Sequence, residues 1–299
     1  MKRQFALAAA LFACLHSAFA DEAPDDRFIR VVETEKSARL QTSVTSYEKE
    51  GVKLDLIGAI HIADQSYYEK LNEIFKGYDI VLFEMIGGEG LGRQAAEAAK
   101  PEIAGAPAPE EEGEADPVVE RRNLTLGLIY QEVADFLKLT SQVDIVDYTA
   151  QNFIHADLTA GEFSEKQEER GESLLTFLLS ADKANPTPPN PLKLIYGILT
   201  RRSDIVKLAV IHTLGDAEDQ VNALAGDSVV ITDRNARCLE VLDRELAAGE
   251  KKIGIFYGAA HFPDLETGLI ERGFAKAGAR WLTAWNVPKP KRAKAASAE

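Results

Sequence analysis

Lys53-Leu54-Asp55-Leu56-Ile57-Gly58-Ala59-Ile60-His61 and Lys252-Ile253-Gly254-Ile255-Phe256-Tyr257-Gly258-Ala259-Ala260-His261 are two versions of one phrase, set near opposite ends of a 299-residue chain. Each is a short apolar run, then Gly-Ala-x-His, then a helix start. Apolar runs of this length read as buried central strands. In an open α/β sheet, ligands bind beyond the carboxyl ends of the strands. A glycine there permits a tight turn and a close approach to the backbone. A histidine three residues on is held at the mouth of the site, and neutral imidazole is the commonest metal ligand. Two such turns on neighbouring strands would aim two imidazoles at one point. With 21 Gly and 5 His in the chain, chance supplies fewer than one Gly-x-x-His match, so a pair after similar strands carries weight. The plainer alternative is two satisfied core or capping histidines.

Outward from these phrases, further strands are expected at 28–33, 39–47, 80–83, 143–146 and 280–284. Helices are expected at 66–76, 124–139, 159–180, 190–200, 203–224, 235–247 and 264–272. Ser66-Tyr67-Tyr68-Glu69 and Thr159-Ala160-Gly161-Glu162 both have capping-box form. Pro263 suits the first position of the last helix. Strand–helix alternation at both ends, around a mainly helical block at 124–225, predicts an α/β class. The expected architecture is a central mixed sheet with helices, split by a helical insertion. The two chain ends must then meet to complete one sheet, and 21–287 reads as a single domain. Residues 94–120, rich in Ala, Pro, Gly and Glu, read as a mobile acidic insertion. Residues 185–191, with four prolines, read as a stiff linker, and the basic, Ala-rich 288–299 as a disordered tail.

Lys2 and Arg3, the apolar run 5–15 and Ala18-Phe19-Ala20 have the form of a secretory signal peptide over 1–20. Export is therefore expected, with a bacterial periplasm as the preferred location. Leu11-Phe12-Ala13-Cys14 loosely resembles a lipoprotein box, which makes anchoring at Cys14 a minor alternative. The formal charge of −14 becomes −16 once Lys2 and Arg3 are removed, and Cys238 is then the one cysteine. An intramolecular disulfide is excluded in that chain, and nucleic acid is a poor partner for so acidic a protein. No later stretch has the length and apolarity of a transmembrane helix.

Beyond residue 20 the histidines are His61, His155, His212 and His261. Glu84 closes a third buried-type strand, Asp79-Ile80-Val81-Leu82-Phe83-Glu84. It is placed to be a third metal ligand beside His61 and His261, or the base that activates a water. Met85-Ile86-Gly87-Gly88 reads as a flexible turn. In Asp233-Arg234-Asn235, Arg234 is placed to clamp a carboxylate or a developing oxyanion, and Asn235 is a supporting candidate. Asp64 and Tyr68 would face the same mouth as His61. His155 and Asp157 lie in an expected turn, where Asp157 would orient His155 or a ligand. His212 and Cys238 read as packing residues. The motifs H-E-x-x-H, G-x-S-x-G and G-x-x-x-x-G-K-[ST] do not occur, and no convincing dinucleotide fingerprint is found.

At Gly58-Ala59-Ile60-His61, Glu84, Asp233-Arg234-Asn235 and Gly258-Ala259-Ala260-His261 the chain resembles the TraB/PrgY/GumN–TIKI family. That family is marked by two G-x-x-H motifs, a strand-closing Glu and an acidic-Arg-Asn segment. The resemblance covers about 53–85 and 228–285. It implies a fold related to the erythromycin-esterase/ChaN-like group and, in the TIKI branch, a peptidase using Mn²⁺ or Co²⁺. Zn or Fe also suits a His/carboxylate set. The residues 94–120 and 152–157 depart from the peptidase branch. The expectation is an exported metal-dependent hydrolase acting on a peptide or small molecule through metal-activated water. The rival expectation is a non-catalytic exported protein that binds or sequesters a peptide, metal or haem.

Overall fold

The computed structural model describes residues 27–93, 131–172, 185–223 and 228–290, together with Thr176, Ser180 and Lys183. The expected signal peptide with Cys14, the insertion 94–120 and most of the tail lie outside the described residues. The strands are β1 (Ile29–Glu33), β2 (Ser37–Lys49), β3 (Val52–Ala59), β4 (Ile62–Ala63), β5 (Ile80–Phe83), β6 (Thr140–Ser141), β7 (Phe153–His155), β8 (Lys252–Gly258) and β9 (Ala275–Pro288). The helices are α1 (Gln65–Phe75), α2 (Gln142–Ile145), α3 (Ala160–Arg170), α4 (Pro191–Leu199), α5 (Ser203–Gly215), α6 (Ala217–Ala223), α7 (Arg234–Ala248) and α8 (Phe262–Glu271).

The class is α/β with a mixed central sheet, as the strand–helix pattern predicts. Seven of the described strands form one sheet, in the order β1-β2-β3-β8-β5-β7 with β9 on the other edge of β2. Strands β1, β2, β3 and β9 pair antiparallel. Strands β3, β8, β5 and β7 pair parallel. The chain ends do meet: β8 inserts between β3 and β5, in register from Lys53↔Lys252 to Ala59↔Gly258. That register lays the two Gly-Ala-x-His phrases side by side, offset by one residue.

Burial explains why these runs are strands. Ile80, Val81, Leu82 and Phe83 are all inaccessible, as are Ile253, Ile255 and Tyr257. A strand covered on both faces needs apolar residues at every position. Successive side chains point to opposite faces. Phe256 meets Phe75 of α1, ring centroids 4.8 Å apart. The next residue, Tyr257, bonds with Cys238 of α7. Helices α1 and α7 therefore cover opposite faces. Each such aromatic withdrawn from water contributes about 1.5–3 kcal/mol.

The structure corrects several local expectations. The expected strand at 143–146 is mostly the helical turn α2, with Val143 exposed. Its mixed polarity, with Gln142 buried and Asp144 in the first turn, suits a surface turn held by the Asn72 amide donating to Ile145 O. The fourth parallel strand is instead β7, whose three residues are too few to show a period. The box at Thr159 forms in full. The one at Ser66 does not, because α1 begins earlier, with Asp64 at its N-cap. Helix α3 ends at Arg170, where Gly171 takes a left-handed conformation (φ 61°). The helix expected over 203–224 is two, α5 and α6, parted at Asp216. Strand β9 reaches Pro288, farther than its apolar residues suggest, because β2 pairs with it along nearly its whole length. His212 is exposed and pairs with Glu33 at 2.8 Å, so it is not a packing residue. Cys238 is fully buried, as expected.

Candidate functional site at the carboxyl ends of β3, β8 and β5

The two turns are built differently. After β3, Tyr67 Oη donates to Gly58 O and lies 2.9 Å from Thr42 Oγ1. Tyr68 Oη donates to Ile60 O at 2.6 Å. Gln142 N donates to His61 O at 2.9 Å. Backbone bonds thus grip the turn on both sides, while the His61 side chain stands exposed at its tip. Gly58 is required by close approach, since a Cβ there would lie 2.9 Å from Thr42 Cβ. Tyr68 is spent on this turn and does not open into the mouth. Tyr67, its equal as a clamp, carried no signal beyond being an aromatic on a helix. Asp64 is also turned to structural use, accepting from Asn286 N at 2.9 Å.

After β8, the side chain is fixed rather than the loop. His261 is buried on a 3₁₀ turn that runs into α8. Its Nδ1 lies 2.7 Å from Asn235 Oδ1. The Asn235 amide nitrogen donates to His261 O (3.0 Å) and Asp264 Oδ2 (2.8 Å). With its nitrogen so engaged, the amide offers oxygen to the ring, and the ring must present Nδ1–H. The lone pair then sits on Nε2, which faces Glu84 Oε1 at 3.6 Å. Burial, aided by the nearby charges of Arg234 and His61 and opposed by Glu84, pushes the imidazole down to about 4. It is therefore neutral at pH 7.

Glu84 follows β5, and its carboxylate is held at both oxygens. Arg234 Nη2 donates to Oε1 at 2.7 Å and Gly258 N to Oε2 at 2.6 Å. Burial alone would raise this carboxyl. The charge of Arg234, joined by His261 and His61 when those rings are protonated, and the Gly258 N–H override it and hold the group well below the usual carboxylate range. Glu84 is thus a firm anion and a weak base.

Arg234 opens α7 and is buried between two carboxylates. Its Nε and Nη2 donate to Asp157 at 2.9 and 2.6 Å, and Nη1 donates to Val230 O at 3.4 Å. Burial would lower its pKa, but Glu84 and Asp157 raise it further above the ordinary arginine value. Arg234, expected to clamp a carboxylate or a developing oxyanion, donates here to two carboxylates of its own chain. The guanidinium is enclosed, and its geometry serves to neutralise and aim Glu84. Asp157 holds Arg234 through both carboxylate oxygens. The His155 ring is buried and donates from Nε2 to Met85 O at 2.7 Å. It packs edge-on to Phe83, with centroids 5.6 Å apart. The turn at Met85–Gly88 is correspondingly close-packed, since a Cβ on Gly88 would lie 2.8 Å from Met85 Cβ and 3.1 Å from His155 Cδ2.

The sheet therefore brings together Glu84, His261, Arg234, Asp157 and Asn235. His61 is near enough for its charge to act on Glu84 and His261. Asp64 and Tyr68 are occupied elsewhere. Among the described residues no three His, Cys, Asp or Glu side chains are already gathered as a metal cage. Glu84 and His261 face each other, and the exposed His61 side chain lies on the neighbouring turn. No family model, no curated protein and no solved structure matches the chain.

Proposed function

We propose that the strand ends form a divalent-cation site and that the protein is an exported metal-dependent hydrolase, with peptides as the first substrates to try. The observation that carries this reading is the 3.6 Å approach of His261 Nε2 to Glu84 Oε1. Two electron-pair donors face each other there with a neutral imidazole and an ionised carboxylate, and a cation between them would relieve the opposition. One neutral His and one carboxylate, with a second His at the rim, fit the donor set of Mn, Co, Fe or Zn. The resemblance to the TraB/PrgY/GumN–TIKI family points the same way.

In this reading His261 and Glu84 hold the ion and His61 completes the set from the exposed turn. A bound divalent ion would supply Lewis-acid polarisation of a carbonyl and acidification of water. The chain's own residues do the positioning. Asn235 keeps the His261 lone pair on Nε2, and hydrogen bonds of this kind commonly orient ligating imidazoles. Arg234, itself held by Asp157, keeps Glu84 ionised. Its depressed pKa makes Glu84 a ligand in preference to a general base.

That same depressed carboxyl favours a second reading, cation or ligand sequestration without turnover, because an effective base should titrate near the working pH. Quenched-fluorescent peptide libraries incubated with the Mn²⁺- or Co²⁺-loaded protein separate the two. Hydrolysis that is abolished by His261→Ala supports the enzyme. A fully loaded protein that cleaves no peptide or ester supports sequestration.

A further inference from the structure

Helix α4 has an apolar surface on the outside of the protein. Leu192 is 74% exposed and Leu199 79%, and Ile195, Tyr196 and Ile198 are each more than half exposed. The helix does not depend on burying those side chains to form. Asn190 Oδ1 accepts from Leu192 N and Lys193 N, and Pro191 occupies the first turn. Its buried point is Gly197, where a Cβ would lie 2.6 Å from Val206 Cγ2 of α5. This close crossing leaves the larger residues outward. Arg201, at φ 52°, turns the chain back into α5. The result is a short helical hairpin in which Leu194 and Gly197 face the protein and the other large apolar residues of α4 face outward.

The charge around it runs against that of the chain. Residues 185–203 contain Lys193, Arg201 and Arg202 and no Asp or Glu, within a protein of formal charge −14. Arg202 pairs with Asp204 at 2.6 Å, which leaves Lys193 and Arg201 as the main positive groups of the segment. Large apolar residues, an interfacial Tyr and flanking basic residues on one short helix are the composition of an element lying in a lipid headgroup region. A second copy of the chain is the weaker fit. Nine residues span only about 14 Å, and a stable protein interface needs roughly 800 Å² per partner. No helix among the described residues is long and apolar enough to cross a membrane, so the contact would be peripheral.

We propose that α4 is a membrane-surface anchor, its apolar face seated at the acyl boundary and Lys193 and Arg201 at the phosphates of anionic lipids. The inference is independent of the chemistry at the strand ends. Flotation of the chain from Asp21, the form expected after export, with vesicles of phosphatidylcholine, with and without about one third of the anionic phospholipid phosphatidylglycerol, tests it. Residues 1–20 are left out because the apolar run 5–15 would itself bind vesicles and mask the contribution of α4. Leu192→Glu/Leu199→Glu should lower the vesicle-bound fraction at least tenfold while leaving far-UV circular dichroism unchanged. Lys193→Gln/Arg201→Gln should lose the preference for anionic vesicles and keep weak binding to neutral ones. The proposal is overturned if the Glu variant floats like the wild type or if neither vesicle retains the wild type. It is overturned equally if the Glu substitutions instead convert a dimer to a monomer in light scattering.

Discussion

The two Gly-Ala-x-His turns start from nearly the same sequence and end as opposites. At Gly58–His61 the backbone is fixed, by Tyr67, Tyr68 and Gln142, and the imidazole is exposed. At Gly258–His261 the imidazole is fixed, by Asn235 on one nitrogen and a carboxylate facing the other. A motif therefore states where a side chain leaves the sheet and not how tightly it is held. The holding comes from residues distant in sequence. We read the difference as a division of labour, with one imidazole built into the interior and one presented at the surface.

The largest effect should come from the charge that supports the buried turn. Arg234→Met leaves Glu84 and Asp157 facing each other without their cation. Removing one partner of a buried pair costs about 3–5 kcal/mol, to be read as a lower urea midpoint. A stability within about 1 kcal/mol of wild type would mean that this pair behaves as a surface one. Asn235→Ala should come next, since it strands the His261 ring N–H and carbonyl and the amide's link to Asp264. Buried unsatisfied groups cost about 1–3 kcal/mol, and loss of an orienting hydrogen bond typically weakens metal affinity 10–100-fold. At the other turn, Gly58→Ala should cost about 1–3 kcal/mol through overpacking against Thr42. Gly258→Ala, whose Cβ would lie 3.4 Å from Glu84 Oε2, should cost less. The smallest effect belongs to His61→Ala, within about 0.5 kcal/mol, as for exposed positions.

Acidification sharpens the same contrast. The His261 imidazole has a folded pKa of about 4, below its unfolded value near 6.5. The unfolded chain therefore binds more protons across that window, and metal-free stability should fall as pH drops from about 6.5 to 4. Glu218 opposes this. Burial raises its carboxyl to about 7, although Phe28 N and Ile29 N donate to it, so its contribution is present at low pH and is lost as pH rises from about 4.5 to 7. In Glu218→Gln the acid loss due to His261 should stand out in thermal melts at pH 7 and pH 4.5. It should disappear when His261→Gln is added and persist when His61→Gln is added instead.

Much of the central sheet was legible because its strands are covered on both faces and so are apolar without interruption. Strand β5 and the 253–257 run of β8 announce themselves in this way, β3 does so in spite of Lys53 and Asp55, and pairing the repeated phrases predicts that the chain ends meet. Strand β7 was not legible. Phe153-Ile154-His155 is too short to display a period, and its place beside β5 depends on tertiary packing. The outer half of β9, Ala-Lys-Ala-Gly-Ala-Arg, is a strand only because β2 offers it a partner. Of the site, His61, His261, Glu84 and Arg234 could be picked out by residue type and place. Their duties could not. Whether Arg234 meets a substrate or a carboxylate of its own chain depends on Asp157, which precedes it by 77 positions. Whether a histidine is a packing residue depends equally on what lies across from it, as exposed His212 beside Glu33 shows.

The most direct test of the central claim is the metal content of the purified protein, after equilibration with Mn²⁺ or Co²⁺, for wild type, His61→Ala and His261→Ala. The account predicts near-stoichiometric metal in the wild type, loss in a still-folded His261→Ala and weakened but measurable uptake in His61→Ala. No uptake by the wild type, or undiminished uptake by His261→Ala, would contradict it.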